Sequence, residues 1–252
     1  MQIRQIRNAT LVLEYGGKRF LVDPFFAGQG TIPAFPNTPN QDKQNPLVGL
    51  PVAAEELVKV DAVFVTHLHL DHFDDVAKQV LPKDMPIYTQ NEEDAEAIRK
   101  DGFAHVQSFE HGVQIGDVLI AKTDGQHGTG EIGRMMGNVS GIVYKHPDEQ
   151  TLYIAGDTIW CDDVQEALEA HNPGVIVVNG GAAQFLQGDP ITMTKEDIYQ
   201  TYEAAPQATI VVSHMEALNH CLLTRAELKS FMAEKVLSQR VVVPEDGEVL
   251  QF

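Results

Sequence analysis

The chain has 252 residues and carries 18 Lys and Arg against 36 Asp and Glu, which gives a formal net charge of −18 at pH 7. This acidic excess offers no basic footprint for DNA or RNA, and it disfavours an anionic membrane surface. Hydrophobic residues make up 43% of the chain and charged residues 21%, proportions typical of a globular protein with an ample core. We therefore expect a folded protein that binds neither nucleic acid nor membrane.

The two cysteines, Cys161 and Cys221, are too few for a disulfide framework and favour a reducing compartment. The first residues lack the continuous apolar run of a secretory leader, and the longest apolar runs are shorter than a membrane span. From these features we expect a soluble, cytoplasmic protein with residues 1–252 in a single domain. A homo-oligomer is compatible with this sequence.

Strand patterns and one long loop occupy the first quarter of the chain. Residues 9–15 and 18–22 predict a hairpin around Gly16-Gly17, a pair suited to a tight turn. The Pro-rich stretch 28–51 predicts a loop, and its length favours a functional or covering role over the alternative of a variable insertion without a role. A short helix over 53–59 and a buried apolar strand over 62–66 follow.

Helices and strands alternate along the rest of the chain, and the Gly-rich segment 128–137 predicts a mobile rim. Helices are predicted over 73–80, 92–100, 162–170, 195–203 and 225–235. Strands are predicted over 87–88, 105–109, 113–115, 118–122, 139–145, 151–155, 175–178, 209–212 and 240–243. Each half of the chain thus combines a strand-rich stretch with a stretch of alternating helices and strands. This order predicts an α/β fold with two sheets face to face and helices outside, a four-layer αββα sandwich.

Potential metal ligands are concentrated in residues 66–74, which read THLHLDHFD. Three histidines and one aspartate lie within six residues, directly after a predicted buried strand, and both residue types bind Zn²⁺ and similar ions. If the segment is extended, His67, His69 and Asp71 point the same way and His72 points elsewhere, so one segment could serve two adjacent metals. The alternative is a His-rich surface loop, but the HxHxDH spacing at a strand end favours a metal site.

Three other predicted strands lead directly into a further His or Asp. His127 follows the strand over 118–122, Asp157 the strand over 151–155, and His214 the strand over 209–212. Taken singly, each of these residues is more often a turn or capping residue than a ligand. Their joint placement at strand ends favours additional ligands.

These motifs resemble the metallo-β-lactamase superfamily of binuclear metal hydrolases, of which HxHxDH is the hallmark. The pieces that carry the resemblance occur in the family's order: Leu21-Val22-Asp23-Pro24, THLHLDH, His127, Gly156-Asp157-Thr158 and His214. The resemblance implies an αββα sandwich with two metals at one edge, and Asp157 bridging them. It implies one ligand set for each metal: His67, His69 and His127 for the first, and Asp71, His72 and His214 for the second.

Within the superfamily, the chain is most similar to the small stand-alone hydrolases that include ascorbate-6-phosphate lactonase. The early LVDP, the Pro-rich loop after it and the THLHLDHFD form of the motif carry this similarity. Antibiotic hydrolysis is not expected, because no Cys stands where one class of β-lactamases has a metal ligand. The length leaves no room for the nuclease-type domain of the RNA-processing branch or for the flavin domain of the diiron flavoenzymes.

The implied cofactors are two divalent metal ions, with Zn²⁺ preferred and Mn²⁺ or Fe²⁺ as alternatives, because ligands of nitrogen and oxygen accept each of them. The resemblance implies a metal-bridging hydroxide as nucleophile, with Asp71 and Asp157 as the catalytic carboxylates. Asp71 is the best candidate to orient the attacking water and to pass its proton to the leaving group. The predicted function is hydrolysis of a small ester, lactone or phosphodiester. The alternative is a non-hydrolytic metal or ligand sensor.

Several residues are expected to support the ligands or to meet the substrate. Asp23, Asp74 and Thr158 are candidates for holding the ligands, although each is also an ordinary turn or cap residue. His220 follows the last ligand closely, and supporting, substrate-facing and helix-capping roles stay open for it.

The substrate is expected to be a small molecule, and the metals could draw an anionic one despite the acidic chain. Arg134 is the weak candidate for binding such an anion, with Lys195 and Arg225 as the other cations near the predicted loops. Trp160 either lines the pocket or packs in the core.

Overall fold

Two mixed seven-stranded sheets form the centre of the computed structural model, which describes residues 1–237 and 239–252. The strands of the first sheet are β1 (Gln2–Arg7), β2 (Thr10–Tyr15), β3 (Lys18–Val22), β4 (Ala62–Val65), β5 (Ile87–Thr89), β6 (Val106–Ser108) and β14 (Val249–Gln251). Their spatial order is β14-β1-β2-β3-β4-β5-β6. The strands from β3 to β6 run parallel, so their carboxyl ends meet at one edge of the sheet.

The second sheet mirrors this arrangement in the other half of the chain. Its strands are β7 (Val113–Ile115), β8 (Val118–Asp124), β9 (Ser140–Lys145), β10 (Leu152–Ile154), β11 (Val175–Asn179), β12 (Thr209–Ser213) and β13 (Val241–Val242). Their order is β13-β12-β11-β10-β9-β8-β7, and the strands from β10 to β13 run parallel.

Helices cover the outer face of each sheet. They are α1 (Ala54–Leu57), α2 (Asp75–Val80), α3 (Glu92–Lys100), α4 (Gly130–Met136), α5 (Asp162–His171), α6 (Lys195–Ala204) and α7 (Arg225–Lys235). In β4, Phe64 faces the core between the sheets, whereas Val63 and Val65 face α2 and α3. Because successive side chains of a strand alternate between its faces, an unbroken apolar strand is covered on both sides. The four-layer αββα sandwich is confirmed.

The predicted elements agree with the structure except at the ends of the chain and in one loop. The hairpin turns at Gly16-Gly17, where both residues are left-handed, as predicted. The sequence did not predict β1 and β14, which pair with each other at the edge of the first sheet. The segment 128–137 contains α4 rather than a loop throughout, and its mobility stays a prediction.

The stretch 28–51 contains no regular helix or strand, as predicted, yet it is fixed to the rest of the fold. One isolated bridge joins Ile32 to Asn45, and Asn219 binds several of its polar groups. Among the described residues, no helix is both long enough and apolar enough to cross a membrane.

Candidate metal centre

The seven predicted ligands come together at one edge of the sandwich. They form two groups in which one ligand atom from each residue lies within 4.8 Å of the others. The first group, called the imidazole group below, consists of His67, His69 and His127. The second, called the carboxylate group, consists of Asp71, His72, Asp157 and His214. The ends of β4, β8, β10 and β12 supply these residues, so the expected placement at strand ends is confirmed.

The segment after β4 turns sharply instead of continuing as an extended chain. The backbone N–H groups of His72 and Phe73 both donate to the carbonyl oxygen of His69, at 2.9 Å and 3.1 Å. This turn brings His72 beside Asp71, whose Oδ2 lies 3.7 Å from His72 Nε2. The segment is therefore not extended, and the alternation expected of an extended segment does not apply. Asp71 and His72 lie in the same group, as the resemblance implied.

Asp157 belongs to the carboxylate group and also approaches the imidazole group. Its Oδ2 is 3.2 Å from His72 Nε2 and 3.5 Å from His127 Nε2, so one carboxylate oxygen meets both groups. The preceding Gly156 is left-handed, and a Cβ there would lie 2.4 Å from the carbonyl oxygen of Ser140. Only glycine fits this close approach, which sets the direction in which Asp157 leaves the strand.

Asp157 also accepts a hydrogen bond from Asn179 Nδ2, at 2.7 Å to Oδ1. Asn179 is the last residue of β11, and the sequence interpretation missed it. The same signal that found the other candidates, a polar residue at the carboxyl end of a buried strand, would have found this one.

Asp23 contacts the His72 ring of the carboxylate group, as its predicted supporting role requires. Its Oδ2 lies 2.9 Å from His72 Nδ1, so Nε2 of that ring faces the other ligands. The Asp23 carboxylate also accepts hydrogen bonds from the N–H and the hydroxyl of Thr66, both at 2.8 Å. One buried carboxylate thereby fixes both the His72 ring and the start of the ligand segment.

Asn8, in the turn between β1 and β2, is a second supporting residue that the sequence did not reveal. Its Nδ2 donates to the Asp71 carbonyl oxygen at 3.0 Å and lies 3.3 Å from Asp71 Oδ2. Its own carbonyl oxygen accepts from the His214 N–H at 3.0 Å. Asn8, Asp23 and His214 all have φ between 45° and 61°, a strained region for side-chain-bearing residues. Such strain clusters at functional sites when the surroundings hold it in place.

Asp74 and Thr158 act one step further from the ligands. Asp74 caps α2 by accepting from the N–H of Ala77, and it also accepts from the N–H groups of Phe26 and Ala27. It thus joins the loop after β3 to the helix after the ligand segment. Thr158 accepts from the N–H of Gln126, the residue before His127.

Without a bound cation, the imidazoles of the two groups differ in protonation. Burial and the nearby imidazoles of His72 and His69 lower the pKa of His67 well below its ordinary value, and burial also lowers the pKa of His127. Burial opposes protonation of His72 too, but Asp157, Asp23 and Asp71 outweigh it and raise the pKa of His72 to about 10. Buried carboxylates and imidazolium ions thus neutralise each other in the carboxylate group.

A divalent cation fits these residues. His72 Nε2 is buried, faces two carboxylates and has no hydrogen-bond partner within the described parts of the chain. A buried nitrogen without a partner is costly unless a ligand satisfies it. Imidazole nitrogen and carboxylate oxygen are the donor set of zinc and related metals.

A cavity of about 250 Å³ opens onto both groups. Its wall away from the ligands is mostly apolar: Phe35, Pro36, Leu70, Met136, Phe185 and Ile191. Thr38 and His220 add polar atoms, and burial lowers the pKa of His220 to about 4. The loop 28–51 therefore supplies part of the cavity wall, which agrees with its predicted covering role.

The predicted substrate contacts Arg134 and Trp160 are not among the residues that line this cavity. Arg134 lies in α4 and borders a separate surface groove with Gln126 and Asn138. Trp160 packs, partly buried, against the core under the second sheet, which was its alternative role. Arg225 is engaged in ion pairs with Glu216 and Asp246.

Fold and site together place two adjacent groups of potential metal ligands at the edge of an αββα sandwich. The model of the beta-lactamase superfamily domain matches residues 18–215. The chain belongs to this superfamily.

Individual relatives resemble the chain over its full length. The UPF0173 protein YddR of Bacillus subtilis (strain 168) is 50% identical, and the alignment covers 100% of both chains. The structure of an isothiocyanate hydrolase from Delia radicum gut bacteria superposes with a TM-score of 0.97 and is 45% identical in sequence. The match covers 100% of this chain and 99% of the hydrolase chain. A possible metal-dependent hydrolase from Veillonella parvula is 37% identical, with the same TM-score and the same coverage.

These relatives place the chain among metal-dependent hydrolases, a description also carried by a 25% identical protein of Pyrococcus abyssi that aligns over the full length of both chains. The closer similarity to the ascorbate-6-phosphate lactonase group stays a prediction.

Proposed function

We propose that the protein is a binuclear hydrolase that cleaves a small, uncharged electrophile. The observation that carries this proposal is the position of Asp157 between two ligand groups, at the floor of a cavity with an apolar wall. His67, His69 and His127 would hold one cation, Asp71, His72 and His214 the other, and Asp157 both. Zn²⁺ is the first candidate, and Mn²⁺ or Fe²⁺ suit the same ligands.

When bound, two such cations lower the pKa of a water molecule and polarise the electrophilic group of the substrate. The residues around them supply position and proton transfer. Asn179 holds the plane of the Asp157 carboxylate, and Asn8 holds that of Asp71. Asp71 borders the cavity, and its carboxylate can orient the attacking water and pass its proton to the leaving group.

The wall of the cavity favours uncharged substrates. The described residues that line it include no Lys or Arg, so an anionic phosphodiester would find no cation of the protein there. Esters and lactones remain candidates. Isothiocyanates join them, because a structure 45% identical to this chain is that of an isothiocyanate hydrolase.

Isothiocyanate hydrolysis consumes one water for each substrate molecule. A C–O bond forms at the central carbon, the C–N bond breaks, and both protons of the water end on nitrogen. The products are a primary amine and carbonyl sulfide. The reaction therefore needs an activated water, a polarised carbon and a route for protons to nitrogen, which a two-cation site with a nearby carboxylate can provide.

In the alternative, a non-hydrolytic sensor, the metal ligands would be inaccessible to a substrate. The cavity reaches His69, Asp71 and Asp157, which argues against that alternative.

A substrate screen with metal analysis tests the proposed function. Purified protein is assayed on 2-phenylethyl isothiocyanate, an aryl ester, a lactone and bis(4-nitrophenyl) phosphate, before and after removal of metal with a chelator. We expect hydrolysis of an uncharged substrate, loss of activity in the metal-free protein and recovery on addition of Zn²⁺. Full activity in metal-free protein would contradict the proposal.

A further inference from the structure

His220 lies at the same edge as the ligand groups but belongs to neither of them. Its side chain is buried, with 8% of the residue exposed, and its Nδ1 has no hydrogen-bond partner anywhere in residues 1–237 and 239–252. Nearly all buried polar atoms in proteins have a partner, because leaving one unsatisfied costs free energy. An unpartnered imidazole in the wall of a cavity therefore points to a bound molecule that completes it.

The ring of His220 is held beside the apolar part of the cavity. It meets the ring of Phe35 edge to face, with centroids 5.0 Å apart and an interplanar angle of 88°. A neutral imidazole offers one N–H donor and one acceptor lone pair. A molecule packed against Phe35 thus has its nearest heteroatom close to the His220 imidazole, which has an unpartnered nitrogen.

Asn219 fixes this arrangement because it joins the loop 28–51 to the segment that carries His220. Its Oδ1 accepts from the Phe35 N–H at 3.2 Å and from Asn45 Nδ2 at 2.9 Å. Its Nδ2 donates to Thr38 Oγ1 and to the Pro39 carbonyl oxygen, both at 2.7 Å. Asn219 is itself buried. Phe35 and His220 are therefore preorganised, which lowers the cost of ordering them around a substrate.

We propose that His220 binds the substrate directly, through a hydrogen bond to the heteroatom that bears its apolar group, while Phe35 and Phe185 hold the apolar group itself. The substrate class is then a small uncharged molecule with an aryl or alkyl group next to its reacting atoms. The reaction of the bound substrate rests on the proposed function, whereas the binding of the substrate by His220 does not. In an isothiocyanate, the atom that faces His220 is the nitrogen, which leaves as the amine.

The kinetic test compares His220→Leu, which removes both ring nitrogens, with His220→Gln, which keeps a donor and an acceptor. Leu222→Ala, at a partly exposed neighbouring position, is the control. With 2-phenylethyl isothiocyanate, we expect kcat/KM to fall about three- to tenfold in His220→Leu, to recover partly in His220→Gln and to stay unchanged in the control. Metal content must stay that of the unsubstituted protein in all three. Loss of a metal in His220→Leu, or unchanged kinetics, would overturn the proposal.

Phe35→Leu tests the orientation of the substrate. We expect it to raise KM for 2-phenylethyl isothiocyanate several-fold and to leave methyl isothiocyanate nearly unaffected, because only the larger group reaches the aromatic wall. Equal effects on both substrates would contradict the assignment of the apolar group to this wall.

A binding experiment separates this proposal from the proposed function. Metal-free protein is titrated with 2-phenylethanol, an uncharged molecule with one hydroxyl and an aryl group, and followed by NMR. We expect the Kd to rise about three- to tenfold in His220→Leu and less in His220→Gln. If the protein hydrolyses no isothiocyanate yet shows these changes in Kd, the proposed reaction fails and the role of His220 stands. If 2-phenylethanol binds both proteins equally, the role of His220 fails. Should His220→Leu not fold, His220→Ala takes its place with the same expectations.

Discussion

The imidazole group and the carboxylate group lie side by side, yet they differ in charge and in access. The imidazole group has three histidines and no carboxylate of its own, and His69 is partly exposed at the cavity. All four members of the carboxylate group are buried, and two of them are acidic. Carboxylates add Coulombic attraction to a cation, especially where burial lowers the effective dielectric. We therefore expect the carboxylate group to hold its cation more tightly and the imidazole group to exchange first.

The supports of the two groups differ in the same direction. Asp23, Asn8 and Asn179 all contact members of the carboxylate group. In the imidazole group, Nδ1 of His127 lies 2.7 Å from the carbonyl oxygen of Ile191. Charged and amide partners fix ligand orientation and raise ligand basicity. Substitutions in the carboxylate group, which has more such partners, should therefore disturb the site most.

Replacement of the shared residue should have the largest effect. Asp157→Ala removes the only carboxylate that contacts both groups among the described ligands. We expect metal content to fall below one ion per chain and kcat/KM to fall on the order of 10³-fold, because both cations lose a ligand and the substrate loses its polarisation. Metal analysis and steady-state kinetics measure this, with Asp117→Ala in the exposed turn before β8 as the control. Two retained metals in Asp157→Ala would contradict a shared ligand.

Removal of one support should weaken one group selectively. Asp23→Asn leaves His72 Nδ1 without its carboxylate partner. We expect the affinity of the tighter site to fall about 10- to 100-fold, and that of the weaker site to change far less. Competition with a chromophoric chelator measures both affinities.

The matched control is Asp74→Ala, since Asp74 is a buried aspartate that contacts backbone N–H groups instead of ligands. It should lower the free energy of unfolding by about 1–2 kcal/mol and leave both metal affinities close to those of the unsubstituted protein. An equal loss of metal affinity in Asp23→Asn and Asp74→Ala would remove the distinction between supporting a ligand and supporting the fold.

Proton release should distinguish the two groups more finely. Against the effect of burial, the nearby carboxylates raise the pKa of His72 to about 10, so its imidazole is protonated at pH 7 in the metal-free protein and must lose a proton to bind a cation. The pKa values of His67 and His127 are lowered, so these rings are already neutral. The affinity of the carboxylate group should therefore rise about tenfold per pH unit for each proton released, up to the raised pKa.

Calorimetric titrations in buffers with different ionisation enthalpies count these protons. We expect more proton release at pH 7 during the first, tighter binding event than during the second. Release confined to the second event would reverse the assignment of the two sites.

The sequence predicted which potential ligands cluster, because their signal is local. His127, Asp157 and His214 each follow an apolar strand, and the ends of neighbouring parallel strands meet at one edge of a sheet. The turn after β4 was not predicted, since alternation along the chain says nothing about where an extended segment ends. For this reason alternation alone could not place His72, whereas the resemblance grouped it with Asp71 and His214, as the structure does.

The supports and the cavity depend on contacts distant in sequence. Asn8 reaches Asp71, 63 positions away, and accepts from Ser213, 205 positions away. Phe35 lies in a loop without any periodic pattern, and distant contacts such as the hydrogen bond from its N–H to Asn219 Oδ1 help to place it. In 130–136 a helix forms despite its glycines, with Ile132 and Met136 packed, partly buried, against a hydrophobic cluster.

Titration of the metal-free protein with Zn²⁺, followed simultaneously by bound metal and by hydrolysis of 2-phenylethyl isothiocyanate, tests the two-cation hydrolase most directly. With the carboxylate group filling first, activity should stay low through the first equivalent, rise during the second and level off at two ions per chain. Full activity after one equivalent, with no change during the second, would contradict the account.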